Sequence, residues 1–78
     1  MQKVFEVGKS YECADIGFDP ITIVRRTDKT VWVHNSYDPH HKWATRIKLD
    51  DCGNEYIVDT TAPKRYRSTL MWKSTFEI

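Results

Sequence analysis

Between Ile21 and His34, two runs rich in β-branched residues flank a short polar break, Thr27-Asp28-Lys29. Side chains in a strand alternate between faces, so Ile21, Ile23, Val31 and Val33 share one side. Arg26, Thr30, Trp32 and His34 fall on the other. The pattern predicts a β-hairpin with an aliphatic inner face and a basic, aromatic outer face. An outer face of that composition points to binding rather than catalysis.

The register of this hairpin follows from the need to keep each face uniform. A three-residue loop at Thr27-Asp28-Lys29 sets Ile23 opposite Val33 and Arg25 opposite Val31. A two-residue Asp28-Lys29 turn sets Val24 opposite Val33 and Ile23 opposite His34, mixing polar and apolar residues on both faces. Because a one-residue slip moves a whole strand's side chains across the sheet, the three-residue loop is expected. Such loops prefer a left-handed residue at their third position, for which Lys29 is poorly suited.

Similar reasoning places other strands. Lys9 to Cys13 reads as a strand with Tyr11 and Cys13 inward, preceded by Met1 to Val7 as an opening strand or turn. Ala14 to Pro20 has loop composition. Asn35 to Lys42 is a polar loop turning at Asp38-Pro39. Trp43 to Leu49 alternates with Trp43, Thr45, Ile47 and Leu49 inward and Arg46 and Lys48 outward. Asp50 to Asn54 forms a hairpin loop, with Gly53 available for positive φ. Glu55 to Asp59 returns from it, with Leu49 facing Tyr56 and Ile47 facing Val58. Pro63 suits the first turn of a helix capped by Thr60 or Thr61. A short helical turn within Lys64 to Lys73, then a closing strand through Thr75 to Ile78, completes the chain. Tyr11, Trp43 and Tyr56 are expected in the core.

Seventy-eight residues make one domain over residues 1–78, with a small core: a chain of this size buries roughly 60% of its unfolded surface. Five or six short strands at regular spacing argue for an all-β barrel or sandwich, and at this size two orthogonally packed sheets closing into a barrel is the economical solution. Over about residues 5–60 this order of strands and loops resembles the SH3-like small barrels, which include KOW and Tudor modules. The glycine that marks a KOW motif is not evident. The string Val24-x-x-Thr27-x-Lys29-Thr30-Val31 and the turn Gly53-Asn54-Glu55-Tyr56 are also similar to small proteins of bacterial phages and mobile elements. The resemblance implies the fold and carries no activity with it.

Twelve basic against eleven acidic residues give a formal charge of +1, so any electrostatic argument must be local. Met1 to Glu6 is followed by no apolar signal segment, and no run approaches the roughly 20 apolar residues that span a bilayer. The chain is expected to be cytoplasmic and away from membranes, with Cys13 and Cys52 as free thiols.

Catalytic chemistry finds little to work with. Gly8-Lys9-Ser10 mimics the end of a phosphate-binding loop, but Lys3 stands where the earlier glycine is required. Asp50-Asp51 sits in a turn, where aspartate bonds the backbone. His40 and His41 are adjacent and diverge in an extended segment, with neither HxH nor HExxH spacing, so they read as surface loop rather than metal ligands. No nucleophile motif is present. The chain is not expected to be an enzyme, and no cofactor or metal is expected.

The outer face of the central hairpin, Arg26, Trp32 and His34, gains Arg46 and Lys48 if the next strand lies beside it. Lys64, Arg65 and Arg67, with Lys73, Tyr66 and Trp72, add a second basic cluster. Cations interleaved with an aromatic suit single-stranded nucleic acid, with phosphates on the cations and a base on Trp32. The alternative is a small protein-interaction module or inhibitor acting on a host protein. Trp32, Tyr37 and Trp72 would then anchor the partner, or an exposed strand edge would pair with it. A monomer or weak homodimer is expected. Both readings require that the last fifteen residues do not cover Trp32.

Overall fold

The computed structural model describes residues 2–14, 17–58 and 70–78. Seven strands run through them: β1 (Ser10–Cys13), β2 (Ile21–Arg26), β3 (Thr30–Asn35), β4 (Lys42–Arg46), β5 (Lys48–Leu49), β6 (Glu55–Val58) and β7 (Met71–Glu77). They pair antiparallel in the order β4-β3-β2-β1-β7-β6-β5. The two strands ending that order are consecutive in the chain and joined through Ile47, and β4 also lies against β6. The sheet therefore curls into a small, nearly closed barrel. It is all-β as expected, with seven strands rather than five or six. The helical turn expected after Pro63 falls on residues outside those described. Its proposed continuation over Met71 to Lys73 is strand instead, because Trp72 and Ser74 point inward at a period of two.

Ile21, Ile23, Val31 and Val33 line the interior, as the hairpin pattern requires. Phe5, Tyr11, Trp43, Ile57, Leu70 and Trp72 complete it. Phe5 meets Tyr11 edge to face at 4.9 Å, and Trp43 tilts against Trp72 at 5.4 Å. Such aromatic pairs add stabilisation beyond their buried area. Tyr56 is only partly buried, since it points to the outer side of β6.

The central hairpin combines both registers weighed above. Ile21, Thr22 and Ile23 face Asn35, His34 and Val33, as a three-residue loop dictates. Beyond Ile23 the register advances by one, so that Arg25 faces Trp32 and Arg26 faces Val31. Val24 is the inserted residue of a β-bulge. The tip closes with the Thr27 N–H donating to the Thr30 carbonyl at 2.8 Å. No described residue other than glycine takes a positive φ, so Lys29 avoids the conformation for which it is unsuited. The bulge keeps aliphatic residues inward while exchanging the two arginines. Arg25, expected opposite Val31, lies outside with Trp32; Arg26, expected outside, turns in.

The second hairpin departs from expectation after Arg46. The Ile47 N–H donates to the Lys29 carbonyl at 2.8 Å, which breaks the strand into β4 and β5. Lys48 then faces Tyr56 and Leu49 faces Glu55, one residue away from the expected pairing. Leu49 lies at the end of the barrel, 65% exposed, instead of inside it. In the loop, Asp50 Oδ1 accepts from the N–H groups of Cys52 and Asn54 at 2.8 and 2.9 Å. The Asn54 and Cys52 bonds hold this carboxyl below the usual carboxylate range. Gly53 has φ +81°, and the Gln2 side chain occupies the space a Cβ would need.

Glu55 organises the adjoining end of the barrel. Only 7% exposed, it accepts from Arg26 Nη1 and Nη2 at 2.7 and 3.0 Å and from the Phe5 N–H at 2.7 Å. Arg26 Nη1 also donates to the Phe5 carbonyl at 2.7 Å. The Glu55 backbone N–H bonds to the Lys3 carbonyl, and Ser74 Oγ donates to the carbonyls of Lys3 and Glu55. The first residues thus form an extended strap along β6 rather than a sheet strand.

Removing one partner of a buried ion pair leaves the other's charge uncompensated, at a cost of about 3 kcal/mol or more. Glu55→Ala is therefore expected to lower stability by about 3 kcal/mol in urea melts. Arg26→Met alone should also destabilise, and Arg26→Met combined with Glu55→Ala should cost less than the two losses summed. Additive effects in this double-mutant cycle would contradict the coupling.

Tyr11 is buried, and its hydroxyl oxygen accepts from the Glu6 N–H at 2.9 Å. Burial pushes its pKa up, with the Glu77 and Glu6 charges adding to the effect. The folded state therefore favours the neutral phenol. Its contribution to stability is intact below the unfolded tyrosine pKa of about 10 and is lost as pH rises through the higher folded value. Absorbance titration should show one tyrosine ionising late, together with unfolding, and Tyr11→Phe should remove that late step.

Candidate functional site

The outer face of β2, β3 and β4 is assembled by pairing alone. Trp32 sits between Arg25 on β2 and Ala44 on β4. His34 sits between Thr22 and Lys42, and Thr30 lies opposite Arg46. The three strands contain Arg25, Arg26, Lys42 and Arg46 and no Asp or Glu. With Arg26 turned inward, the outer side carries Arg25, Lys42 and Arg46. The near-neutral total charge thus conceals a local excess of positive charge. Among the described residues, none of these three has an acidic group within 4.0 Å. Asp28 and Asp38 lie in the loops at the two ends of the face.

Arg25 is held over the indole, its Cζ 4.7 Å from the ring centroid of Trp32. A cation over an exposed tryptophan contributes about 0.5–1 kcal/mol, enough to favour one orientation of the guanidinium. His34 Nδ1 donates to the Asn35 carbonyl at 2.8 Å, which leaves Nε2 as the acceptor of the neutral ring. Ala44, the smallest side chain on the face, stands directly across from Trp32. Beside the indole is an open, mainly apolar dish of about 370 Å³, walled by Val24, Arg25, Trp32, Lys42, Trp43 and Ala44.

The expected site residues divide into three groups. Trp32, His34 and Arg46 lie together on this face. Arg26 does not, because the bulge turns it into the ion pair with Glu55, where that carboxylate raises its already high pKa. Lys48 does not join them either. It pairs with Tyr56, which in turn faces Lys73, on the β5–β6–β7 side. Lys64, Arg65 and Arg67, with Tyr66, lie outside the described residues. Trp72 is a core residue whose Nε1–H donates to the Asp19 carbonyl at 3.1 Å, so it is no surface anchor.

Arg25 and Lys42 were missed. Lys42 was legible, since Lys42, Ala44 and Arg46 alternate with the inward Trp43 and Thr45. Arg25 was hidden by a bulge without a glycine to mark it. The one available sign was the conflict between the two registers.

The closing strand β7 pairs with β1 and β6 rather than crossing over Trp32. Phe76 is exposed beneath Lys73, 5.6 Å from its ammonium. Cys13 and Cys52 are not bonded to each other. His40 and His41 are exposed in a loop organised by Asn35 Oδ1, which accepts from the N–H groups of Tyr37 and Asp38. No cluster of three metal-ligating side chains occurs among the described residues. Nor is any helix among them long and apolar enough to cross a membrane.

Trp43 and Trp72 are buried, whereas Trp32 is partly open. Acrylamide is expected to quench one accessible tryptophan component, and Trp32→Phe should abolish it. Persistence of the accessible component in that variant would place Trp32 under cover. Comparison of the chain with protein-family models, curated proteins and solved structures gave no match.

Proposed function

We propose that this domain is a non-catalytic binding module for single-stranded nucleic acid, using the outer face of β2, β3 and β4. The observation that carries the reading is the placement of three cations, Arg25, Lys42 and Arg46, around the partly open Trp32, none of them ion-paired with an acid among the described residues. Phosphate oxygens meet the cations, and a base meets the indole or the guanidinium plane laid on it. The SH3-like resemblance belongs to the same proposal, and so does a cytoplasmic location.

An apolar dish beside an aromatic also suits an inserted side chain. This favours, as the second reading, docking of a host protein, with Trp32 and the 75%-exposed Tyr37 as anchors.

Fluorescence anisotropy with a labelled oligonucleotide tests the first reading. Affinity should fall with salt at a log–log slope of about −2, reflecting three phosphate contacts on a single strand. Arg25→Ala and Trp32→Ala should each weaken binding about tenfold while the domain stays folded. Arg26→Ala should instead act through stability. Salt-independent binding, or none at low salt, would contradict the proposal.

A further inference from the structure

The dish beside Trp32 has features that the charge of the face does not explain. Two local choices open it. Ala44 stands across from Trp32, where a larger side chain would fill the space, and Val24, without a partner on β3 at the bulge, is 53% exposed. The lining is almost wholly apolar, so Arg25 and Lys42 contribute mainly the hydrocarbon parts of their side chains to it. Its volume of about 370 Å³ lies near the lower end of small-molecule pockets, roughly 300–1,000 Å³. That is ample room for a planar ring laid beside the indole.

We propose that this dish is a subsite for a single unstacked nucleobase, whose flanking phosphates lie against Arg25 and Lys42. The inference rests on the nucleic-acid reading above and adds the place of the base, in the dish between Trp32 and Ala44. Charge complementarity selects this occupant. An apolar protein side chain would fill the floor but leave both cations without a counter-charge, whereas a nucleotide supplies a flat aromatic ring and an anion together. The ring is recognised by stacking and shape, so every base can enter.

Two labelled oligonucleotides of equal length separate this subsite from general attraction to phosphate: oligo(dT) and its abasic counterpart. The wild-type domain is expected to bind oligo(dT) about tenfold more tightly. Ala44→Leu, which fills the dish without changing charge, should bring that ratio close to one. Ala44→Val, a stronger strand former, provides a second filled variant with the same expected loss, and thermal melts establish that each is folded. Equal affinity of the wild type for both oligonucleotides overturns the subsite while leaving the phosphate-binding face standing. The same pattern is expected if the dish accepts a protein side chain. A preference that survives both substitutions in folded protein also overturns it. Absence of binding to either oligonucleotide overturns the functional reading and this subsite together.

Discussion

The bidentate contact between Arg26 and Glu55 is the interaction on which the rest of this small barrel depends. It joins the end of β2 to the start of β6, and through Phe5 it holds the N-terminal strap between them. Burying charge is costly, and the arrangement offsets that cost by satisfying the carboxylate with three donors. Such a pair specifies position more than it adds net stability, because any other register would strand a charge inside.

The same interaction makes sense of the β-bulge. Regular alternation would turn Arg26 outward and leave Glu55 without its partner. One inserted residue, Val24, lets Ile21 and Ile23 stay inside and brings Arg26 in after them. As a consequence Arg25 emerges on the outer face, over Trp32. One backbone irregularity thus supplies a structural arginine to the interior and a second one, laid over Trp32, to the surface. The face that results carries Arg25, Lys42 and Arg46 on strands that contain no acid, although the whole chain is nearly neutral.

Much of the fold was legible in the sequence. The inward set Ile21, Ile23, Val31 and Val33, the inward Tyr11 and Trp43, and the Asp50 to Asn54 loop all followed from alternation and turn chemistry. Period-two reasoning failed where a strand stopped being regular. It could not see the bulge at Val24, which no glycine announces. Nor could it see the break at Ile47, which arises when that residue's N–H turns to Lys29, a partner distant in sequence. Glu55 was read as an ordinary strand residue because its partner is likewise remote, and a buried acid carries no local signature. The candidate face was half legible for the same reason. Trp32, His34 and Arg46 follow from alternation, whereas the identity of the exposed arginine depends on tertiary pairing.

The central claim is that the bulge assigns Arg25 to a binding face and Arg26 to the frame. Amide and indole chemical shifts of ¹⁵N-labelled protein, followed during titration with an unlabelled single-stranded oligonucleotide, test it most directly. The account predicts perturbations at Arg25, the Trp32 indole, Lys42 and Ala44, with Arg26, Lys48 and Lys73 unmoved. Shifts centred on Lys48, Tyr56 and Lys73, or a spectrum unchanged at saturating oligonucleotide, would contradict it.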